Sequence, residues 1–234
     1  MKTLFVSFIL FVSSCLSCAF LVPGIKNKDP AKQSYSSVGR LSVITKDKKG
    51  GIFATGFAIS DSKIITAGHF CIDWLEGNVK GIFPDEIDIT IIHGNSLLEL
   101  SQVLEVELIE EKMDVCILKG NPGLEPVVFA DYSKTKVGDK VYNIGSSLSL
   151  FPQYSEGRIN VPKFDIGDNR GLLYMSLDIS PGSSGSPCFN DRGELVGMVI
   201  ASVIPNVFLI ARSPFALAQR SDVIQKFAKM VEEE

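Results

Sequence analysis

The chain has 234 residues, of which 45% are apolar and 21% are charged, a composition typical of a globular protein with a large buried core. Its formal net charge is −4, and the sequence ends in Glu232-Glu233-Glu234. Because nucleic-acid binding requires a basic face, this charge balance argues against DNA or RNA as a partner.

The first 19 residues have the pattern of a signal peptide. Lys2 precedes an apolar run that extends from Leu4 to Val12, and small residues follow the run. Ser17-Cys18-Ala19 offers a small-x-small cleavage site, which would leave a mature chain that starts near Phe20. The segment 1–19 therefore predicts export from the cytosol.

Two other interpretations of this segment are open. Val12-Ser13-Ser14-Cys15 resembles a bacterial lipobox, which would make Cys15 the acylated anchor of a lipoprotein. The apolar stretch from Thr3 to Val22 is also long enough to remain as an uncleaved membrane anchor. All three interpretations place the rest of the chain outside the cytosol, either secreted or attached to a membrane by its N-terminal segment.

Residues 20–37 are polar, contain Pro23, Gly24 and Pro30, and are predicted to form an extended N-terminal arm. The fold is expected to begin at Val38. Short apolar runs separated by turn residues predict strands at 38–45, 51–60, 63–67, 87–93, 97–109 and 114–119. These strands would close a first β-barrel over residues 38–123, and Asn121-Pro122-Gly123 marks its end.

The second half continues with short strands. They are predicted at 139–145, 153–160, 172–178, 187–190, 195–203 and 206–212, and would form a second barrel over residues 124–213. Residues 214–234 are assigned to a C-terminal helical segment, in which Ser221 is the predicted N-cap and Val223, Ile224, Phe227 and Val231 form an apolar stripe. The chain is therefore predicted to be all-β, with two packed antiparallel β-barrels and a C-terminal α-helix.

Two motifs supply a nucleophile and a base. Residues 182–187 read Gly-Ser-Ser-Gly-Ser-Pro, and residues 66–69 read Thr-Ala-Gly-His. A serine hydroxyl is a poor nucleophile at neutral pH, so it needs an imidazole to accept its proton and a buried carboxylate to orient that imidazole. Asp114 lies between the two motifs. The sequence predicts a catalytic triad of His69, Asp114 and Ser184.

Ser184 is preferred over Ser183 and Ser186 because the Gly-x-Ser-Gly-x-Pro pattern places its nucleophile third. Gly182 permits a turn in which its own N–H and that of Ser184 can point at a developing oxyanion. The alternative is that residues 181–187 form an ordinary Gly/Ser turn between strands. The other histidine of the chain, His93, ends an apolar run and is interpreted as a strand-end residue.

Outside the signal segment the chain has three cysteines, Cys71, Cys116 and Cys188, so at least one of them must be free. Cys116 and Cys188 lie in apolar strands and are predicted to be buried small hydrophobic residues. No Cys-x-x-Cys pair occurs in the mature chain, and a lone histidine supplies too few ligands for a metal. We therefore expect no metal and no cofactor.

These motifs resemble those of the trypsin/chymotrypsin-like serine proteases of the double β-barrel superfamily, in which the triad follows the chain order His, Asp, Ser. Lys63–His69 is similar to the strand that leads to the base in that family. Val137–Gly145 resembles the start of the second barrel in the bacterial HtrA-like branch, and Leu177–Pro187 is also similar to the flaviviral nonstructural protease. The resemblance implies a double-barrel fold and endopeptidase activity on protein or peptide substrates. No PDZ peptide-binding module follows, so regulation by such a module is not expected.

The sequence departs from the family at three positions. Ser183 stands where animal digestive proteases have an aspartate that pairs with a newly freed amino terminus, so that zymogen switch is not expected here. Gly68 stands where alanine is usual, and Cys71 follows Phe70 instead of following the histidine directly. None of these changes removes a catalytic group.

Asp178 lies six residues before Ser184, where the trypsin branch has the carboxylate at the floor of its primary specificity pocket. A desolvated carboxylate there would favour Lys or Arg before the scissile bond. The alternative is a strand-end residue with solvated oxygens. The resemblance places the pocket wall at Ile200, Ala201 and Ser202, and this wall lacks the glycines of an open trypsin pocket.

Three functions are compatible with these observations. The favoured one is a serine endopeptidase that forms an acyl-enzyme on Ser184. The second is a catalytically inactive binding protein with a protease fold, which is disfavoured because no member of the triad is missing. The third is a lipid-anchored binding lipoprotein, which depends only on the Cys15 interpretation. The sequence leaves the oligomeric state open.

Overall fold

The computed structural model describes residues 30, 34–45, 51–75, 87–92, 100–120, 123–166, 169–202 and 213–232. The predicted signal peptide with its two alternatives, most of the predicted arm, His93 and the predicted strand at 206–212 lie outside these ranges. Within them, no helix has the length and apolar character needed to cross a membrane.

The first half forms a seven-stranded antiparallel sheet. Its strands are β1 (Val38–Thr45), β2 (Gly51–Ser60), β3 (Lys63–Ala67), β4 (Ile87–Ile92), β5 (Leu100–Val103), β6 (Glu105–Glu110) and β7 (Val115–Lys119). They are ordered β5-β4-β1-β2-β3-β7-β6. The single strand predicted at 97–109 is divided at Leu104, which is buried in the interior of the sheet. Because Leu104 alone connects the two edge strands, the sheet curls until its two ends meet at that residue.

The second half forms a closed barrel. Its strands are β8 (Val128–Phe129), β9 (Lys140–Gly145), β10 (Gln153–Ile166), β11 (Asn169–Ile179), β12 (Pro187–Phe189), β13 (Glu194–Ser202) and β14 (Ser213–Arg220). Strand β12 pairs with both β9 and β13, which closes a ring of six strands, and β8 adds to β13 in parallel. The predicted all-β class with two packed β-units and a C-terminal helix is confirmed. Among the described residues, hydrogen-bonded strand pairs form a closed ring in the second unit.

Alternation along the strands divides the apolar side chains into three clusters. In β11, Leu173, Met175, Leu177 and Ile179 face the interior of the barrel, as the two-residue period of a strand requires. A second cluster fills the interior of the first sheet. The third, called the inter-sheet cluster here, combines Phe57 and Ile117 of the first half with Leu172 and Phe189 of the second. This cluster packs the two halves together along a hydrophobic face.

Helices accompany the strands in the described part of the chain. Helix α1 (Gly68–Leu75) follows β3 without a break and was not predicted. Helix α2 (Ser221–Glu232) places Ile224 and Phe227 of its predicted apolar stripe in the inter-sheet cluster. The Ser221 hydroxyl is buried and has no hydrogen-bond partner among the described residues, so it does not act as the predicted N-cap.

The helix begins at Ser221, the residue predicted as its N-cap, but residues 214–220 of the predicted C-terminal segment are not helical. Residues 213–220 form β14, which pairs with β11 on one side and with β13 on the other. These residues complete the barrel, so their long-range pairing outweighs local preference. At the junction, the Arg220 guanidinium donates to both carboxylate oxygens of Asp222 at 3.0 and 2.6 Å, and lies over the ring of Tyr132.

Cys71 and Cys116 form a disulfide. The prediction that Cys116 is only a buried small hydrophobic residue is therefore wrong, because α1 brings Cys71 above the strand that carries it. Cys188 is free and buried, as predicted. Burial raises the pKa of the Cys188 thiol to about 12, which keeps that thiol neutral.

Candidate active site

His69 and Asp114 are neighbours at the ends of paired strands. His69 is the second residue of α1, immediately after β3, and Asp114 immediately precedes β7, which pairs with β3 through Ala67 and Val115. The Nδ1 atom of His69 lies 2.9 Å from Oδ2 and 3.1 Å from Oδ1 of Asp114. Because a carboxylate only accepts, the proton at this contact lies on Nδ1, and Nε2 is left able to accept another.

The backbone makes a second link between the same two residues. The N–H of His69 donates to Oδ1 of Asp114 at 2.6 Å. Asp114 adopts the left-handed conformation, with φ 52° and ψ 49°, at the end of a short 3-10 helix over Glu111–Met113. Aspartate tolerates this region better than most residues, and strained backbone of this kind collects at functional sites.

Gly68 is required by the close approach of these segments. A Cβ at this position would lie 2.9 Å from both the carbonyl carbon of Asp114 and the backbone nitrogen of Val115. Both atoms belong to the backbone and cannot swing away. The departure from the usual alanine therefore has a structural reason: α1 passes directly over the backbone of Asp114.

The three serines of the Gly-Ser-Ser-Gly-Ser-Pro motif differ in their environments. Ser183 is buried, and its hydroxyl lies 2.6 Å from that of Ser147. Ser186 is buried, donates to the carbonyl of Ser183 and accepts from the side-chain amide of Asn143. Ser184 is partly exposed, and its hydroxyl has no hydrogen-bond partner among the described residues. Of the three hydroxyls, that of Ser184 is the one available for reaction.

The nucleophile turn, residues 180–186, contacts the first half directly. The backbone N–H of Thr55 donates to the carbonyl of Ser184 at 2.9 Å. Gly185 has φ +81°, and a Cβ there would lie 2.1 Å from the Thr55 carbonyl oxygen and 3.0 Å from the backbone nitrogen of Ala67. Ala67 lies two residues before His69, so the turn brings Ser184 to the part of the first half that carries the imidazole.

The orientation of Gly182 is fixed from both sides. The carbonyl of Pro181 accepts from the N–H of Leu148 at 2.7 Å, and that of Gly182 accepts from the hydroxyls of Thr55 and Ser146 at 2.9 and 3.0 Å. In a trans peptide the N–H points opposite to the carbonyl, so these contacts also fix the direction of the neighbouring N–H groups. Within the described part of the chain, neither the Gly182 N–H nor the Ser184 N–H donates a hydrogen bond.

Sequence reasoning missed these supporting hydroxyls. Thr55 is fully buried between apolar residues of β2, and Ser146 is fully buried directly after β9. A polar residue within an apolar strand was the available signal, because a buried hydroxyl needs a partner.

The predicted specificity residues lie in different environments. Asp178 is partly exposed on the outward face of β11, opposite to the buried Leu177 and Ile179. The side chain of Ile200 is buried in the inter-sheet cluster, whereas Ser202 is exposed at the end of β13. Strands β11 and β13 both pair with β14, so Asp178 and Ser202 lie on the two strands that flank it.

The predicted triad residues His69, Asp114 and Ser184 do not line either of two cavities on the second barrel. A cavity of about 420 Å³ is lined by residues that include Tyr142, Tyr154 and Arg158, and another of about 240 Å³ is lined by residues that include Asp131 and Arg192. Among the described residues, no group of three His, Cys, Asp or Glu side chains could hold a metal ion.

The chain is similar to several known proteins. Residues 54–198 match the family described as "Trypsin-like peptidase domain". A "Probable periplasmic serine endoprotease DegP-like" of Rhizobium meliloti is 31% identical, with 75% of this chain and 33% of that protein covered. A protein of the same description from Bartonella henselae is 28% identical, with 83% and 36% covered. The chain thus spans about a third of the length of these relatives.

The fold also matches a solved structure. "HtrA-type protease AlgW with tripeptide" superposes with a TM-score of 0.69 at 16% identity, covering 88% of this chain and 63% of that one. The sequence match covers both β7 and the nucleophile turn, and the structural match covers both β-units. The chain belongs to the family of trypsin-like peptidase domains.

Proposed function

We propose that this chain is a serine endopeptidase that cleaves peptide bonds through a covalent acyl-enzyme on Ser184. The observation that carries the proposal is the contact of His69 Nδ1 with both carboxylate oxygens of Asp114, next to the turn that presents an unbonded Ser184 hydroxyl. The imidazole side chain is 42% exposed, which leaves it open to a substrate. The DegP-like names of the relatives support the same activity.

In the first half of the reaction, Nε2 of His69 accepts the hydroxyl proton of Ser184 while Oγ attacks the carbonyl carbon of the scissile peptide bond. The carbonyl oxygen becomes an oxyanion, and the N–H groups of Gly182 and Ser184 donate to it. Asp114 stabilises the imidazolium through Nδ1. The imidazolium then gives its proton to the leaving amine, and the C–N bond breaks.

In the second half, a water molecule gives a proton to Nε2 of His69 and attacks the acyl carbon. The oxyanion forms again and is stabilised by the same two N–H groups. Collapse breaks the bond to Oγ of Ser184, which takes the proton back from the imidazolium. The products are a carboxylic acid, an amine and the unchanged enzyme.

Labelling with a fluorophosphonate probe tests this proposal. We expect the purified protein to be labelled on Ser184, as located by mass spectrometry, and the Ser184→Ala variant to remain unlabelled. Ser133→Ala, which changes an exposed serine on the second barrel, is the matched control and should label like the parent protein. A folded parent protein that is neither labelled nor able to cleave peptides would contradict the proposal and favour a binding role.

We also propose that Asp178 favours Lys or Arg before the scissile bond. Its position supports this, since it lies at the end of β11, two residues before Ser180, whose carbonyl accepts from the N–H of Ser183 in the nucleophile turn. In a peptide-library digest, Asp178→Asn should lose the preference for basic residues. Asp61→Asn, which removes the same charge in the turn between β2 and β3, should keep it. A digest without basic preference in the parent protein would refute the assignment.

The site of action is proposed to be extracytoplasmic. The signal-peptide pattern of residues 1–19, the disulfide and the periplasmic names of the relatives support this location, because disulfides persist in oxidising compartments. Cell fractionation with N-terminal sequencing tests it. A start at Phe20 supports cleavage, a lipid-modified Cys15 supports the lipoprotein, and a cytosolic full-length protein contradicts export.

A further inference from the structure

The Cys71–Cys116 disulfide joins the two segments that carry the base and the acid. Cys71 lies two residues after His69 in α1, and Cys116 lies two residues after Asp114 in β7. Both cysteines are fully buried in the cluster inside the first sheet. The catalytic mechanism described above makes no use of this bond.

Backbone pairing alone does not extend to the catalytic pair. The ladder between β3 and β7 ends with Ala67 opposite Val115, and beyond it the chain turns into α1 on one side and into the left-handed Asp114 on the other. The N–H of His69 donates to the side chain of Asp114. The disulfide links α1 to β7 on the other side of this gap. His69 therefore lies between two connections to β7, the pairing of Ala67 with Val115 and the disulfide of Cys71.

We propose that the Cys71–Cys116 disulfide positions His69 against Asp114, so that both cysteines are positioning residues of the catalytic site. The inference rests on the proposed protease activity. Without the bond, α1 is held against β7 by packing and by the hydrogen bonds of His69 to the flexible Asp114 side chain, so it can move relative to β7. The imidazole then loses its fixed distance to the carboxylate, and a displacement of about 1 Å at a catalytic group can cost about 10²-fold in rate.

A purely stabilising disulfide would behave differently. It would raise the melting temperature by closing a long loop, because its cysteines are 45 residues apart, but the folded enzyme would work equally well without it. A positioning disulfide and a purely stabilising one are distinguished by kcat, measured well below the melting temperature of every variant.

The test compares kcat and KM of the parent protein with those of Cys71→Ala/Cys116→Ala. We expect kcat to fall about 10- to 100-fold while KM changes less than about twofold. Leu118→Ala is the matched control, because it removes a buried side chain of the same strand and cluster but leaves the disulfide. It should lower the melting temperature and keep kcat. Cys188→Ala controls for the loss of a buried cysteine that lies outside the disulfide. If the double alanine variant does not fold, Cys71→Ala/Cys116→Val replaces buried volume with a residue suited to a strand.

A spectroscopic signature makes the result independent of catalysis. Only two histidines are present, so the imidazole proton signals are few and His93→Gln assigns them. The proton on Nδ1 of His69 should give a sharp signal in the parent protein and in Leu118→Ala, and should broaden by exchange with water in the disulfide variant. An unchanged kcat and an unchanged signal in the folded variant overturn the proposal. A parent protein that has the disulfide intact but no peptidase activity contradicts the proposed function instead. In that case the Nδ1 proton signal of His69 still tests the positioning role of the disulfide.

Discussion

Gly68→Ala gives the sharpest test of the site geometry. The added Cβ would lie 2.9 Å from the carbonyl carbon of Asp114 and from the nitrogen of Val115. Carbon atoms in ordinary contact are about 3.5–4.0 Å apart, so α1 and the Asp114 backbone must separate by at least about 0.6 Å. The same separation lengthens the 2.9 Å contact between Nδ1 of His69 and Oδ2 to about 3.5 Å, beyond hydrogen-bonding range.

We expect kcat of Gly68→Ala to fall about 10²-fold, because the imidazole loses its orienting partner while substrate contacts remain. The assay is steady-state cleavage of a fluorogenic peptide, with folding checked by circular dichroism. Gly138→Ala is the control. It forces a left-handed alanine at φ +87° into open space, which costs stability of about 1–2 kcal/mol without displacing a neighbour. A folded Gly68→Ala with parental or higher kcat refutes the reasoning.

Three further predictions follow from the contacts. Gly185→Ala would place a Cβ 2.1 Å from the Thr55 carbonyl oxygen at a left-handed φ, so fluorophosphonate labelling should be lost even where circular dichroism still shows folded protein. Thr55→Val removes the hydroxyl that donates to Gly182, and kcat measured on a peptide substrate should fall about tenfold with little change in KM. Burial raises the pKa of Cys188 in the native protein to about 12, whereas the unfolded thiol ionises above pH about 8.5. The free energy of unfolding is therefore unaffected by this thiol below that pH and falls as the pH rises towards about 12. Between pH 9 and 10.5, urea unfolding should show the parent losing up to about 1.4 kcal/mol per pH unit more than Cys188→Ala; parallel curves would contradict this.

The sequence alone was sufficient for the elements with strong local signals. The strand that leads to His69 and the alternating residues of β11 have periodic apolar patterns, and the glycines of the nucleophile turn stand where a left-handed φ is needed, as Gly185 shows. For these segments the local preference and the final structure agree.

Features that depend on distant partners were missed. Strand β14 looks helical in isolation because Ala216, Leu217 and Ala218 are good helix formers, yet it pairs with strands on both sides. The disulfide was missed for a similar reason. The proximity of Cys71 to β7 depends on α1, a helix of eight residues that begins at a glycine and has no sequence signal for its start.

The nucleophile turn is held by neutral groups, and this explains why serine can occupy position 183. Ser183 is buried and meets the Ser147 hydroxyl, while the carbonyl groups on either side of Gly182 accept from Leu148 and Thr55. Each neutral hydrogen bond contributes about 0.5–1.5 kcal/mol, whereas a carboxylate at this depth would need a charged partner to offset its desolvation. We therefore expect this turn to need no newly released amino terminus. The carbonyls of Pro181 and Gly182 already have partners in this chain, so removal of a single hydroxyl such as that of Thr55 is expected to change the rate and not the fold.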